Sequence, residues 1–183
     1  MLGLRKALAV LLFFYPLATV SFATNIENMH LLGQGKAYYL SFIKVYDAYF
    51  YSEEILPKDD ILNSDVSKCL RLEYAVDVSR KDFITAANKV LSRQFTPERL
   101  MTVENELNTL HEGYRDVKDG DSYSLCYREA DKTTTLSLNG GDIVSIASAD
   151  FAEIYFSIWL GSSNPLDKTL RDNLLASAID PRN

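Results

Sequence analysis

Few side chains in this chain carry obvious chemistry, and those few are spread out. His30 and His111 each stand alone, with no His-Glu-x-x-His motif and no cysteine pair at zinc spacing, so the sequence offers no metal site. His111 lies beside an apolar stripe, where a histidine at the edge of a core is the simpler reading. Gly33-Gln34-Gly35 has the start of a phosphate loop, but not its third glycine, its following helix or its Lys-Ser/Thr ending, so nucleotide binding is set aside. No Gly-x-Ser-x-Gly is present to hold a serine nucleophile. Asp59-Asp60 does not have the spacing of a calcium loop and reads as solvated charge. No cofactor is implied.

Two features remain. Cys69 and Cys126 are the only cysteines, and both sit in strand-like runs. In an oxidising compartment they can form one bridge, and otherwise they read as two buried thiols filling core positions. The second feature is aromatic density: Tyr38, Tyr39, Phe42, Tyr46, Tyr49, Phe50 and Tyr51 fall within fourteen residues. Tyrosine joins an apolar body to a polar tip, which suits a ligand cleft, although aromatic residues also favour strands for their own sake.

The elements that must position these groups follow from pattern. Arg5 and Lys6, an apolar run from Ala7 to Val20 and the small residues of Ser21-Phe22-Ala23 predict a signal peptide at residues 1–23, cleaved after Ala23. The run is shorter than the roughly 20 residues of a spanning helix, and Pro16 interrupts it. The mature domain, residues 24–183, is then exported, with the periplasm as the expected compartment. No later stretch is apolar for long enough to span a bilayer. Losing Arg5 and Lys6 takes Lys+Arg from 19 to 17 against 25 Asp+Glu, and the formal charge from −6 to −8. Such a surface argues against nucleic acid and anionic headgroups as partners.

Met29 to Ser52 reads as two or three strands, with apolar residues at both parities from Leu40 to Tyr51, as for a sheet covered on both faces. Pro57 to Lys68 is mostly polar and reads as a solvated, exposed loop. Ser79-Arg80-Lys81-Asp82 resembles a capping box, and the helix it opens carries Phe83, Ala86, Ala87, Val90 and Leu91 up to about Phe95. Thr96-Pro97 starts a second helix with a stripe of Leu100, Val103, Leu107, Leu110 and Tyr114. Asp121–Tyr127, Thr133–Leu138 and Asp142–Ala147 alternate as an antiparallel meander, with Asn139-Gly140 as a hairpin turn. Ser148 caps a helix through Phe151, Ile154, Tyr155, Ile158 and Trp159 to Gly161. Asn164-Pro165 opens a last one bearing Leu166, Leu170, Leu174 and Leu175, and the tail beyond Ala176 reads as frayed. Strand runs separated by helix runs predict α+β.

These blocks resemble a known family. Phe42-Ile43-Lys44-Val45-Tyr46-Asp47-Ala48-Tyr49-Phe50-Tyr51 is similar to an early strand of chalcone isomerase-like proteins. Leu72-Glu73-Tyr74 followed by Asp77-Val78-Ser79 and Asp82-Phe83 resembles their strand-to-helix junction. Val117-Lys118-Asp119-Gly120-Asp121, Leu138-Asn139-Gly140, Asp150-Phe151-Ala152, Ile158-Trp159-Leu160-Gly161 and Pro165-Leu166-Asp167 extend the likeness over essentially the whole mature chain. The resemblance implies an open-faced β-sandwich, an antiparallel sheet backed by helices with a ligand cleft between the layers. Its members include plant isomerases that close a chalcone into a flavanone, fatty-acid-binding proteins, and bacterial proteins of unassigned activity.

The enzymes of that family use an arginine, a strand threonine and polar groups on the helices. By the resemblance these positions fall near Lys36, Ala37 or Tyr38, on Tyr46, and on Phe83, Val90 and Ile158. Phe83, Val90 and Ile158 cannot stabilise a developing enolate, so flavanone formation is not expected. The expected function is a non-catalytic domain binding a hydrophobic small molecule, such as a fatty acid, around Lys36, Tyr38, Tyr46, Phe83, Val90 and Ile158. An isomerase or lyase using Lys36 or Tyr46, and an interaction module for an envelope protein, are the alternatives. Protein partners and oligomeric state are not legible in the sequence.

Overall fold

The computed structural model describes residues 26–180. The signal-peptide reading and the expected start at Thr24 lie outside the described residues.

Six strands form one sheet in chain order: β1 (His30–Tyr39), β2 (Ile43–Ser52), β3 (Lys68–Tyr74), β4 (Ser122–Arg128), β5 (Thr133–Leu138) and β6 (Gly141–Ala147). Each neighbouring pair is antiparallel. Between β3 and β4 the chain forms α1 (Arg80–Gln94), α2 (Pro97–Met101) and α3 (Glu104–Gly113), and after β6 it forms α4 (Ala149–Leu160) and α5 (Lys168–Leu174). The α+β class and the meander are as expected. Asn139 and Gly140, with φ of 51° and 81°, make the β5–β6 turn, which needs two left-handed residues.

Register decides which face is apolar. Phe50, Leu70, Leu125 and Leu136 stand in line across β2 to β5, and Ala48, Leu72, Tyr123 and Leu138 form the next row. Helices pack over this face: α5 on β1 and β2, α3 on β6, α4 on β5, and α1 against α4. The opposite face carries Asp47, Tyr49, Arg71, Glu73 and Ser124, so the expectation of a sheet covered on both sides is corrected. The mixed parity of Leu40 to Tyr51 arises instead from half-buried tyrosines on the outer face and exposed apolar residues at the β1–β2 turn.

Ser79 and Asp82 form the capping box of α1, which buries Ala87, Val90 and Leu91. The second expected helix is divided. Thr102 returns its hydroxyl to Arg99 O at 2.8 Å, and Val103 leaves helical geometry with ψ of 21°, so α2 stops and α3 restarts. A β-branched pair weakens the helix at that point. Val103, Leu107, Leu110 and Tyr114 are buried nonetheless. The final helix begins at Lys168 rather than at Pro165, because Asp167 caps it by accepting from Leu170 N at 2.7 Å.

α5 lies against β1, and the two glycines of Gly33-Gln34-Gly35 account for the closeness. A Cβ on Gly33 would sit 2.1 Å from Asn173 O, and one on Gly35 would sit 2.7 Å from a Leu170 methyl. The segment beyond Ala176 is tied down as far as Asp180, contrary to the frayed expectation. Ser177 N donates to Leu32 O at 2.8 Å and Ile179 N to Leu56 O at 3.0 Å. The 57–68 loop is likewise packed rather than solvated, since Ile61 and Val66 are buried and Lys68 Nζ donates to Ile61 O and Asn63 O at 2.9 and 2.6 Å. Ile61-Leu62 and Val66, short interruptions of a polar stretch, conceal that packing from a window average.

Candidate functional site: an apolar cavity lined by tyrosines

A cavity of about 670 Å³ lies between the apolar face of the sheet and the helix layer. Its floor is sheet: Leu70, Leu72, Leu125 and Leu136. Its roof is helix: Phe83 and Ala87 from α1, Ile158 and Trp159 from α4. Tyr38, Tyr39 and Ile43, where β1 turns into β2, stand at the entrance beside the exposed carboxylates of Asp77, Asp82 and Asp167. The volume falls in the range that drug-sized and acyl ligands occupy.

The polar groups inside are hydroxyls. Tyr46, Tyr74, Tyr114, Tyr123 and Tyr155 all line the cavity and all are buried. Their rings pack edge to face, with centroids 5.6 Å apart for Tyr46 and Tyr74 and 5.5 Å for Tyr114 and Tyr123, while Phe83 stacks on Tyr114 at 5.2 Å. Tyr114 and Tyr155 share a hydrogen bond of 2.7 Å. Tyr123 is fully committed, accepting from Arg115 N at 2.8 Å and donating to Arg115 O at 2.9 Å. Tyr46 accepts from Trp159 Nε1 at 3.1 Å. Burial is the main cause that pushes the phenols of Tyr46, Tyr74, Tyr114 and Tyr155 above the usual tyrosine value, so they stay neutral O–H groups.

Four of the six residues expected around a ligand meet here: Tyr38, Tyr46, Phe83 and Ile158 all line the cavity. The other two, Lys36 and Val90, do not line it. Lys36 pairs with Asp47 across β1 and β2 and points to the outer face, in a shallow depression with Tyr49 and Asn173. It stands one residue from Ala37, and strand alternation sends neighbours to opposite faces. Val90 is buried in the core and does not reach the cavity, because α1 turns its Phe83, Ala86 and Ala87 side toward it. Tyr74, Tyr114, Tyr123, Tyr155 and Trp159 were not among the expected residues. Phe151, Tyr155 and Trp159, four apart on α4, were a usable signal that reads equally as plain core.

Cys69 and Cys126 are direct partners across β3 and β4, and their sulfurs are bonded in the structure. The pair lies away from the cavity. Among the described residues no group of three His, Cys, Asp or Glu could hold a metal ion, and no helix is long and apolar enough to cross a membrane. His111 is partly buried, and burial, followed by the charge of Arg80, holds its imidazole below the usual value.

A six-stranded antiparallel sheet covered by helices on one face, with an apolar cavity between the layers, defines an open-faced α+β fold. The chain belongs to the chalcone isomerase-like family, whose model matches residues 18–176. Among solved structures it is similar to a fatty-acid-binding protein of Arabidopsis thaliana, with a TM-score of 0.63 and 18% identity over 81% of this chain and 87% of that one. At that identity the likeness speaks for the fold. No curated protein matches the chain.

Proposed function

We propose that this protein is an exported, non-catalytic chalcone isomerase-like domain that holds a hydrophobic small molecule of about fatty-acid size between its sheet and its helices. The observation that carries this reading is the cavity of about 670 Å³, whose floor and roof are apolar and whose polar groups inside the entrance carboxylates are neutral hydroxyls. Filling it removes apolar ligand surface from water at roughly 25 cal/mol per Å². The similar fold of a plant fatty-acid-binding protein supports the same reading. An isomerase or lyase built on Lys36 loses its cation, since that side chain lies on the outer face.

Trp159 is the only tryptophan in the chain and lines the cavity, which makes it a built-in reporter. Titration with a medium-chain fatty acid ester should change its fluorescence saturably and raise the melting temperature. Silence in both signals across a panel of apolar ligands would count against the reading. Export is tested apart from binding: the intact mass of protein recovered from its producing cells should correspond to a chain beginning at Thr24.

A further inference from the structure

The charge inventory of the cavity is one-sided. Its lining holds three carboxylates at the entrance, Asp77, Asp82 and Asp167, and among the described residues no lysine, arginine or histidine. Arg115 lies near Tyr123, but its Nη1 is directed at the carbonyl oxygens of Glu112, Gly113 and Tyr114. A buried anion here meets no cation, so only hydrogen bonds from neutral hydroxyls offset its desolvation, and the entrance carboxylates repel it.

The hydroxyls, by contrast, have protons to spare. A tyrosine has one O–H donor and can also accept. Tyr74 is 5% exposed, lines the cavity, and among the described residues its hydroxyl has no hydrogen-bond partner. Tyr46 only accepts, from Trp159, so its proton is uncommitted. The single bond between Tyr114 and Tyr155 uses one of their two protons. Three donors among the residues lining the cavity are therefore left without a protein acceptor, and a ligand that enters can supply one.

We propose that the ligand carries an uncharged, hydrogen-bond-accepting head, a carbonyl or ester oxygen on an apolar chain or ring, received by Tyr74, Tyr46 and the spare proton of the Tyr114–Tyr155 pair. This rests on the binding reading above and narrows it: an ionised fatty acid is disfavoured, and a fatty acid enters as the neutral acid. Burial holds these phenols in the protonated form that such a head requires.

The test compares three probes on the full mature chain by calorimetry at about pH 8, where a carboxylic acid is ionised. The probes are 2-decanone, which has a neutral acceptor, decanoate, which has an anionic one, and butylbenzene, which has none. The expected order is 2-decanone tighter than decanoate by about tenfold or more. Tyr74→Phe should weaken 2-decanone by about fivefold and leave butylbenzene unchanged. Decanoate binding as tightly as the ketone, or Tyr74→Phe leaving the ketone's affinity intact, overturns the head-group assignment while the cavity reading stands. Failure of all three probes to bind overturns both.

Discussion

Trp159 Nε1 donates to the hydroxyl of Tyr46 at 3.1 Å, joining α4 to β2 across the roof and floor of the cavity. Both residues are buried, and among the described residues neither side-chain group has another hydrogen-bond partner. Tyr46→Phe should therefore lower stability by about 1–2 kcal/mol, read from urea denaturation, because the indole N–H is left without its acceptor. The variant should also weaken ligands bearing a carbonyl. Lys36→Ala, on the outer face, should leave ligand affinity unchanged, and a loss there would contradict the placement of β1.

Gly33 allows α5 to rest on β1, since an added Cβ would meet Asn173 O at 2.1 Å and Leu174 O at 2.6 Å. Backbone atoms cannot swing aside as a side chain does. Gly33→Ala should cost about 1–3 kcal/mol, as overpacking does, and should raise hydrogen exchange in α5 more than elsewhere. Equal protection in both proteins would show that α5 is not held this way.

Cys69 and Cys126 close a separation of 57 residues across adjacent strands. Protein isolated without reductant should titrate with no free thiol. Cys69→Ala/Cys126→Ala should be less stable by about 2–4 kcal/mol. Two thiols per denatured chain would mean that the pair is reduced in the isolated protein.

The buried phenols set an alkaline limit. Tyr46, Tyr74, Tyr114 and Tyr155 hold their protons above the usual value of 10.0, chiefly through burial, whereas the unfolded chain releases them near it. Above about pH 10 the native state therefore binds more protons than the unfolded one, so stability is full below that pH and falls as pH rises. Absorbance at about 295 nm should show these tyrosines ionising only together with loss of tertiary circular dichroism. Smooth titration of every tyrosine in a still-folded protein would contradict their burial.

Much of this architecture was legible in the sequence because local signals agreed with the fold. The Ser79–Asp82 box, the Asn139-Gly140 turn and the alternating strands each specify one geometry, and each appears where expected. The departures came where tertiary contacts decide. Ile61-Leu62 and Val66 are short apolar interruptions of a polar stretch, and only the completed fold offers them a place to bury. The break at Thr102 and Val103 depends on a hydroxyl choosing Arg99 O. In the site, Lys36 and Ala37 are adjacent, and a matching uncertain by one residue sends a strand side chain to the wrong face. Tyr74, Tyr114 and Tyr155 were hidden because a tyrosine lining a cavity and one filling a core have the same spacing.

The central claim, that the cavity holds a hydrophobic molecule, is tested most directly by extracting the purified mature protein into organic solvent and identifying by mass spectrometry what is released. The account predicts an apolar compound with a neutral oxygen-bearing head, near one per chain, and a sharp loss of it in a cavity-filling Ala87→Trp variant that remains folded. Protein that carries nothing, and into which no apolar ligand can be loaded afterwards, would contradict it.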